Sequence, residues 1–242
     1  MSAGERWSPR TAAAHAFVAD LDAPVLDDDE RHHLHRVRRL RDGEVITVGD
    51  GCGRWRPARV GLSLEPCGPV VTDPPPRPAL TVAFAPPKGD RPAWVVQKLT
   101  EIGVDRIVPL AAARGVVRWD GARGAGAVER LRRVAREAAA QSRRTWMPEV
   151  GLPVELETAL RWDGVGLADV AEVARPGWPA PSLACPTVLV GPEGGWSPAE
   201  RSLASELGVP SLDLGPHVLR TDTAAVVAGV LLAAARWASS AR

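Results

Sequence analysis

Tyrosine is missing from this 242-residue chain, and cysteine (three), methionine (two) and phenylalanine (two) are scarce. Without tyrosine there is no phenolic acid, base or nucleophile to assign. Cys52, Cys67 and Cys185 stand far apart and form no C-x-x-C pair. That argues against a disulfide framework and against a thiolate zinc site. Lysine is nearly absent too: of 30 basic residues only Lys88 and Lys98 are not arginine. The longest uncharged apolar run, Ala224–Ala235, falls well short of the ~20 residues that span a bilayer. The N-terminus, MSAGERWSPR, has no apolar core of a secretory signal. These absences predict a soluble, cytoplasmic protein with no membrane partner.

What is present is ordinary globular usage, 45% apolar and 24% charged, with a length that suits one or two domains of ~150 residues each. The net charge of +1 is unevenly spread. Residues 31–59 carry eight Arg against three acids, and 91–146 carry twelve Lys or Arg against five; residues 147–242 carry six Arg against eleven. Two basic segments on a nearly neutral chain fit a polyanion surface confined to part of the molecule, or solvated arginine-rich faces.

The stretch DPPPRP at 73–78 reads as a linker, because consecutive prolines hold backbone extended. Before it, β-like runs at His15–Asp20, Val45–Gly49, Trp55–Leu64 and Val70–Thr72 alternate with turn signals. Gly49–Gly53 is expected to be a hairpin turn, and a helix is expected near Asp28–Leu40. After the linker, strands and helices alternate. Strands are predicted at Leu80–Ala85, Arg106–Leu110, Val165–Ala168, Thr187–Val190 and Leu212–Leu214. A helix capped by Asp90 runs to Ile102 and stops at Gly103. A second covers Val128–Ser142, and a third starts at the capping box Ser197-Pro-Ala-Glu200. The last is capped by Thr221 and runs through Arg236. This alternation predicts an α/β domain with a mostly parallel sheet.

Ligands of open parallel sheets bind outside the carboxyl ends of the strands. Two strands run directly into glycine-bearing loops, Gly191-Pro-Glu-Gly-Gly195 and Gly215-Pro-His217. The first is not a P-loop, since Trp196 and Ser197 follow where Lys and Ser/Thr would be needed. Arg220, set between Leu219 and a helix start, reads as an arginine held toward a substrate. His32 and His35 share a helical face, but no cysteine lies near, so no metal is expected there.

Five segments in order resemble the bacterial small-subunit ribosomal RNA uridine-N3 methyltransferases of the SPOUT (α/β-knot) superfamily. They are His32–Arg38, Asp50-Gly51, the run from Lys88 through Trp94 and Lys98 to Glu101 and Gly103, Gly191–Ser197, and Leu214–Thr223. Gln141, Arg144 and Pro148 match a further Q-x-x-R-x-x-x-P pattern. The resemblance spans nearly the whole chain. It implies a PUA-like β-barrel over 1–72, then a SPOUT domain over 79–242 ending in a trefoil knot.

The same resemblance implies S-adenosylmethionine (SAM) as methyl donor. Its loops would be Leu167 and Ala168; Val190, Gly191, Pro192, Glu193, Gly194 and Gly195; and Leu214, Gly215, Val218, Leu219, Arg220, Thr221 and Ala224. Arg220 would steady the uridine anion, while Glu193 would accept a proton or tie its loop. Arg36, Arg38, Arg39, Lys88 and Arg144 would contact ribosomal RNA or the assembled small subunit, and the apolar final helix would supply a homodimer interface. Ala140, His217, Asp222 and Arg38 depart from the family's usual residues, His217 inside a cofactor loop. Two other readings stay open: a SPOUT enzyme acting on ribose 2′-oxygen or transfer RNA, and a non-catalytic RNA-binding or assembly protein.

Overall fold

The computed structural model describes residues 7–26, 40–119, 121–170 and 178–240. The chain packs as two units, one of residues 1–75 with 136–147, the other of 76–135 with 148–242. The polyproline stretch thus separates them in sequence. Residues 136–147, which follow that linker by some sixty residues, nonetheless pack with the first unit.

In the first unit, β1 (His15–Phe17) runs parallel to β2 (Val45–Gly49), which pairs antiparallel with β3 (Arg54–Arg59). β4 (Glu65–Pro66) and β5 (Val71–Thr72) both pair antiparallel with β3. The expected hairpin turn joins β2 to β3. The Asp50 carboxylate accepts from the Cys52 and Arg54 amides at 2.7 and 3.1 Å, and Gly51 and Gly53 take positive φ, which favours glycine. Ile46, Val48, Ala58 and Val60 close the core with Ala14, Ala16 and Val18. Asp73 gathers the unit: its carboxylate accepts from Trp55 Nε1 at 3.1 Å and Thr145 Oγ1 at 2.8 Å. Arg143 donates to the Ala12 and Ala13 carbonyls at 2.8 and 2.9 Å, and Arg136 to the Phe17 carbonyl at 2.8 Å. These bonds explain why 136–147 belongs here. The helix expected at Asp28–Leu40 lies almost wholly outside the described residues.

The second unit is the expected α/β layer structure. Its parallel sheet has the order β12–β10–β11–β6–β7–β8, with β9 also on β7. The strands are β6 (Thr81–Phe84), β7 (Arg106–Ala111), β8 (Glu149–Val150), β9 (Val154–Glu155), β10 (Val165–Ala168), β11 (Thr187–Val190) and β12 (Ser211–Leu212). Alternate side chains face opposite layers. Val82, Phe84, Val188 and Val190 pack with α1 (Arg91–Ile102), α2 (Gly121–Gln141) and α5 (Thr221–Ser240). Ala83, Val108, Leu167 and Leu189 face the other way, toward α3 (Leu156–Ala159) and α4 (Pro198–Glu206). Both faces are therefore covered, as a parallel sheet requires.

Several local expectations shift. Asp90 precedes α1 but its carboxylate bonds no helix amide; it pairs with Arg130 at 2.6 Å instead. Helix α2 begins at Gly121, seven residues before the predicted start. Among the described residues α5 is the one helix long and apolar enough to cross a membrane by length and composition. Its Ala224, Ala225, Ala228, Gly229 and Leu232 are buried, and its Arg236 pairs with Asp105. One face of it packs into the core of this unit.

Candidate functional site

Strand register sets the site. Leu212 stands beside Ala168, Ala168 beside Val190, and Val190 beside Phe84. Because all four strands run parallel, the chain leaves each of them at the same edge of the sheet. The glycine loops 191–195 and 213–220 therefore start at the same end of the sheet, on either side of the end of β10.

Trp196 fixes the first loop. Its ring is 1% exposed, and its Nε1 donates to the Ala168 carbonyl at 2.8 Å, which satisfies the one polar atom of a buried indole. Gly191 lies against that ring; a Cβ there would come within 2.9 Å of it. The Gly195 amide donates to the Pro192 carbonyl at 2.8 Å, closing the turn, and Gly195 takes φ +66°.

The predicted capping box is complete. Ser197 Oγ accepts from the Glu200 amide at 3.2 Å, and the Glu200 carboxylate accepts from the Ser197 amide at 2.6 Å. The same carboxylate reaches the Ala113 amide at 2.8 Å, while Arg114 donates to the Gly194 carbonyl at 2.9 Å. The segment after β7 thus holds the loop from its other side. At the end of β10, Asp169 forms a two-pronged pair with Arg201 at 2.7 and 2.9 Å, bidentate geometry that suits a carboxylate buried to 7% exposure.

The second loop is shaped by Gly215, at φ +128° with its amide on the Asp213 carboxylate at 2.8 Å. Leu214 and Leu219 are half-buried against the core, Val218 is exposed, and Arg220 is exposed with no side-chain hydrogen bond or ion pair among the described residues. Thr221 does not use its hydroxyl as a helix cap. It is the first residue of α5, 3% exposed, and its Oγ1 donates to the Gly191 carbonyl at 2.9 Å. This bond joins the two loops directly. Buried Ala224 follows one turn on, its amide on the Arg220 carbonyl.

Glu193 is engaged as well. Arg91, the first residue of α1, donates from Nη1 to Glu193 Oε1 at 2.8 Å, and its Nε lies 3.8 Å from Asp222 Oδ2. So Leu167, Ala168, Val190–Gly195, Leu214, Gly215, Val218–Thr221 and Ala224 occupy one end of the second unit. Of the residues expected to contact RNA, Arg36, Arg38 and Arg39 lie outside the described residues. Lys88 is exposed in the second unit. Arg144 is half-buried in the first and donates Nε–H to the Trp146 carbonyl at 3.0 Å.

Sequence reading did not single out Trp196, Arg114 or the Asp169–Arg201 pair. Trp196 carried one usable signal, a large apolar residue immediately after a pair of glycines. Arg114 and Asp169 carried none, since their partners lie 80 and 32 residues away.

The sequence model of a family described as "RNA methyltransferase domain" matches residues 74–233, and that of an "RNA methyltransferase PUA domain" matches 26–61. The chain is 36% identical to Ribosomal RNA small subunit methyltransferase E of Mycobacterium bovis, over 90% of this chain and 89% of that one. It is 31% identical to the Bacillus subtilis protein of the same name, over 86% and 89%. A crystal structure of Ribosomal RNA small subunit methyltransferase E from Neisseria gonorrhoeae, bound to S-adenosyl methionine, superposes with a TM-score of 0.71 at 27% identity, covering 90% of this chain and 95% of that one.

Proposed function

Since this chain belongs to the RNA methyltransferase family, we propose that it transfers the methyl group of SAM to N3 of one uridine in small-subunit ribosomal RNA. The observation that carries the reading is the junction of the two glycine loops through Thr221 Oγ1 and the Gly191 carbonyl. That bond ties together the loops that leave β11 and β12, on either side of the end of β10. Its surroundings fit SAM. The donor has no phosphate and needs no phosphate cradle; an adenine edge is read by backbone N–H and C=O groups, which glycine loops offer at close range. The half-buried Leu214 and Leu219 supply apolar walls.

When bound, SAM supplies an electrophilic methyl on a sulfonium. The protein must hold that methyl in line with N3 and help N3 give up its proton. Arg220 is the catalytic residue of this reading: an exposed cation without an internal partner among the described residues, free to stabilise charge developing on the uracil ring. Glu193 is held by Arg91 and takes the role of tying its loop. The proton passes to solvent once Arg220 has made its loss easier.

The rest of the reading follows the resemblance. Residues 1–72 form a PUA-like barrel that docks RNA through Arg36, Arg38 and Arg39, with Lys88 and Arg144 adding phosphate contacts that position without reading sequence. Residues 79–242 form a SPOUT domain whose last loop and α5 complete a trefoil knot. The enzyme works in the cytoplasm as a homodimer, with Val230 and Trp237 of α5, 46% and 80% exposed, on the joined face.

The test is methyl transfer from labelled SAM to isolated small subunits, followed by mass spectrometry of the nucleosides. N3-methyluridine is the expected product. A ribose-methylated nucleoside, or label on transfer RNA alone, overturns the assigned acceptor, and absence of SAM binding makes the chain a non-catalytic RNA binder. Arg220→Ala is expected to slow transfer by roughly 10²–10³ while SAM still binds. A normal rate removes Arg220 from the chemistry.

A further inference from the structure

Among the groups around the site, one cation meets two carboxylates from two different elements, a loop and a helix start. Arg91 opens α1, just past the end of β6. Its Nη1 donates to Glu193 at 2.8 Å, in the loop that follows β11, and its Nε lies 3.8 Å from Asp222, in the first turn of α5. Arg91 and Glu193 are 43% and 45% exposed, Asp222 17%. Asp222 also accepts from the Thr223 amide at 2.8 Å, which restrains its carboxylate. The planar guanidinium fork can serve two acceptors at once, as a lysine ammonium at the same place cannot with comparable geometry.

We infer that Arg91 is a positioning residue of the methyl-transfer site, a clasp that holds loop 191–195 against the start of α5 through Glu193 and Asp222. The inference rests on the methyltransferase reading and adds a residue to it. Remove the guanidinium, and the carboxylates of Glu193 and Asp222 are left to repel each other, since like charges at short range favour separation. The Thr221–Gly191 bond then holds the loops against that repulsion. A clasp of this kind acts on the closed arrangement that grips the donor; the chemistry at N3 stays with Arg220. It also gives Glu193 a structural part, tying its loop to α1 through the ion pair with Arg91.

The experiment uses the full purified chain as wild type, R91A, R91K, E193Q and the R91A/E193Q double variant. SAM binding is measured by calorimetry, and initial rates are measured with SAM varied over small subunits. R91A is expected to raise Kd and KM for SAM about fivefold, the scale of a half-exposed ion pair, with kcat within about twofold. R91K falls between R91A and wild type. The double variant binds SAM better than R91A alone, because Glu193→Gln removes one of the two repelling charges. A purely structural loss would not be relieved by a second substitution. If wild type binds SAM and R91A binds it equally well, or if the double variant is simply the sum of the two singles, the clasp is overturned while the methyltransferase reading stands. If E193Q abolishes kcat with SAM affinity intact, Glu193 is the proton acceptor and the clasp is likewise overturned. A wild-type chain that does not bind SAM overturns both.

Discussion

The bond between Thr221 and Gly191 is the most direct physical link between the two loops, and removing it is the sharpest test of the site. Thr221→Val replaces the hydroxyl by a methyl of the same shape, so little packing changes at a residue 3% exposed. The Gly191 carbonyl loses its 2.9 Å donor. A buried acceptor left without a partner costs about 1–3 kcal/mol. Gly191 is half-buried, so water can partly replace the lost donor, and the cost sits near the lower end, at about 1 kcal/mol. If the bond forms only when the loops are joined, and SAM needs them joined, that energy appears as roughly a fivefold rise in the SAM Kd. For a chain of this size the thermal midpoint falls by about 2–4 °C per kcal/mol. Calorimetric titration with SAM and a thermal melt measure both. Thr221→Ser keeps the hydroxyl and should hold SAM close to wild-type affinity. A Thr221→Val protein that binds SAM as wild type does, or a Thr221→Ser protein that binds worse than Thr221→Val, refutes the idea that this bond assembles the site.

Two other substitutions probe different links in the chain of argument. Gly191→Ala puts a Cβ 2.9 Å from the Trp196 ring, which cannot retreat because its Nε1 is bonded to the Ala168 carbonyl; overpacking of about 1–3 kcal/mol should lower the melting temperature and abolish SAM binding, and an unchanged melt contradicts the geometry. In the first unit, burial above all, and secondarily the nearby positive charge of Arg143, lower the His15 pKa from 6.5 to about 4. The unfolded chain therefore binds the proton first, so stability is full above about pH 6.5 and falls as pH drops toward 4, by roughly 3 kcal/mol. Denaturant titrations of wild type and His15→Gln should show this slope in the former and its loss in the latter; equal slopes remove His15 from the account.

Legibility followed the range of the interactions. The capping box at Ser197 and Glu200 closes within four residues, so the sequence pattern alone foretells it. Gly103 ends α1 at φ +105°, again a local requirement that sequence reveals. Helix α2 defeats the same reasoning. Its first turns, GARGAGA, carry three glycines, each about 1 kcal/mol less favourable than alanine in a helix. Gly124 is there because the chain entering the helix passes too close for a side chain: a Cβ would come within 2.3 Å of the Trp119 carbonyl oxygen, a backbone approach that no residue pattern announces. Likewise the arginines of 130–144 look from the sequence like one basic track. The fold employs Arg136 and Arg143 on the carbonyls of Phe17, Ala12 and Ala13, partners more than a hundred residues away. The glycine loops themselves were legible because their residue types announce tight backbone. What joins them was not, because a threonine that bonds a distant carbonyl looks in sequence like a helix cap.

The charges around the loops are nearly all paired, and the pairing has a chemical logic on the methyltransferase reading. Asp169 is neutralised by Arg201. Glu193 is met by Arg91, and Glu200 receives backbone amides from Ser197 and Ala113. A sulfonium donor is itself cationic, so uncompensated guanidinium groups around it would oppose its binding. An acceptor nitrogen that must become anionic is opposed in turn by uncompensated carboxylates. On that reading both partners are served when the acids are spent within the loops and a cation is left to face the acceptor. Arg220, one residue before α5 and without an ion pair among the described residues, is the cation proposed for that part. In the proposed division of labour the glycines let the backbone approach closely, the internal ion pairs remove competing charge, and Arg220 takes the electrostatic task at the acceptor.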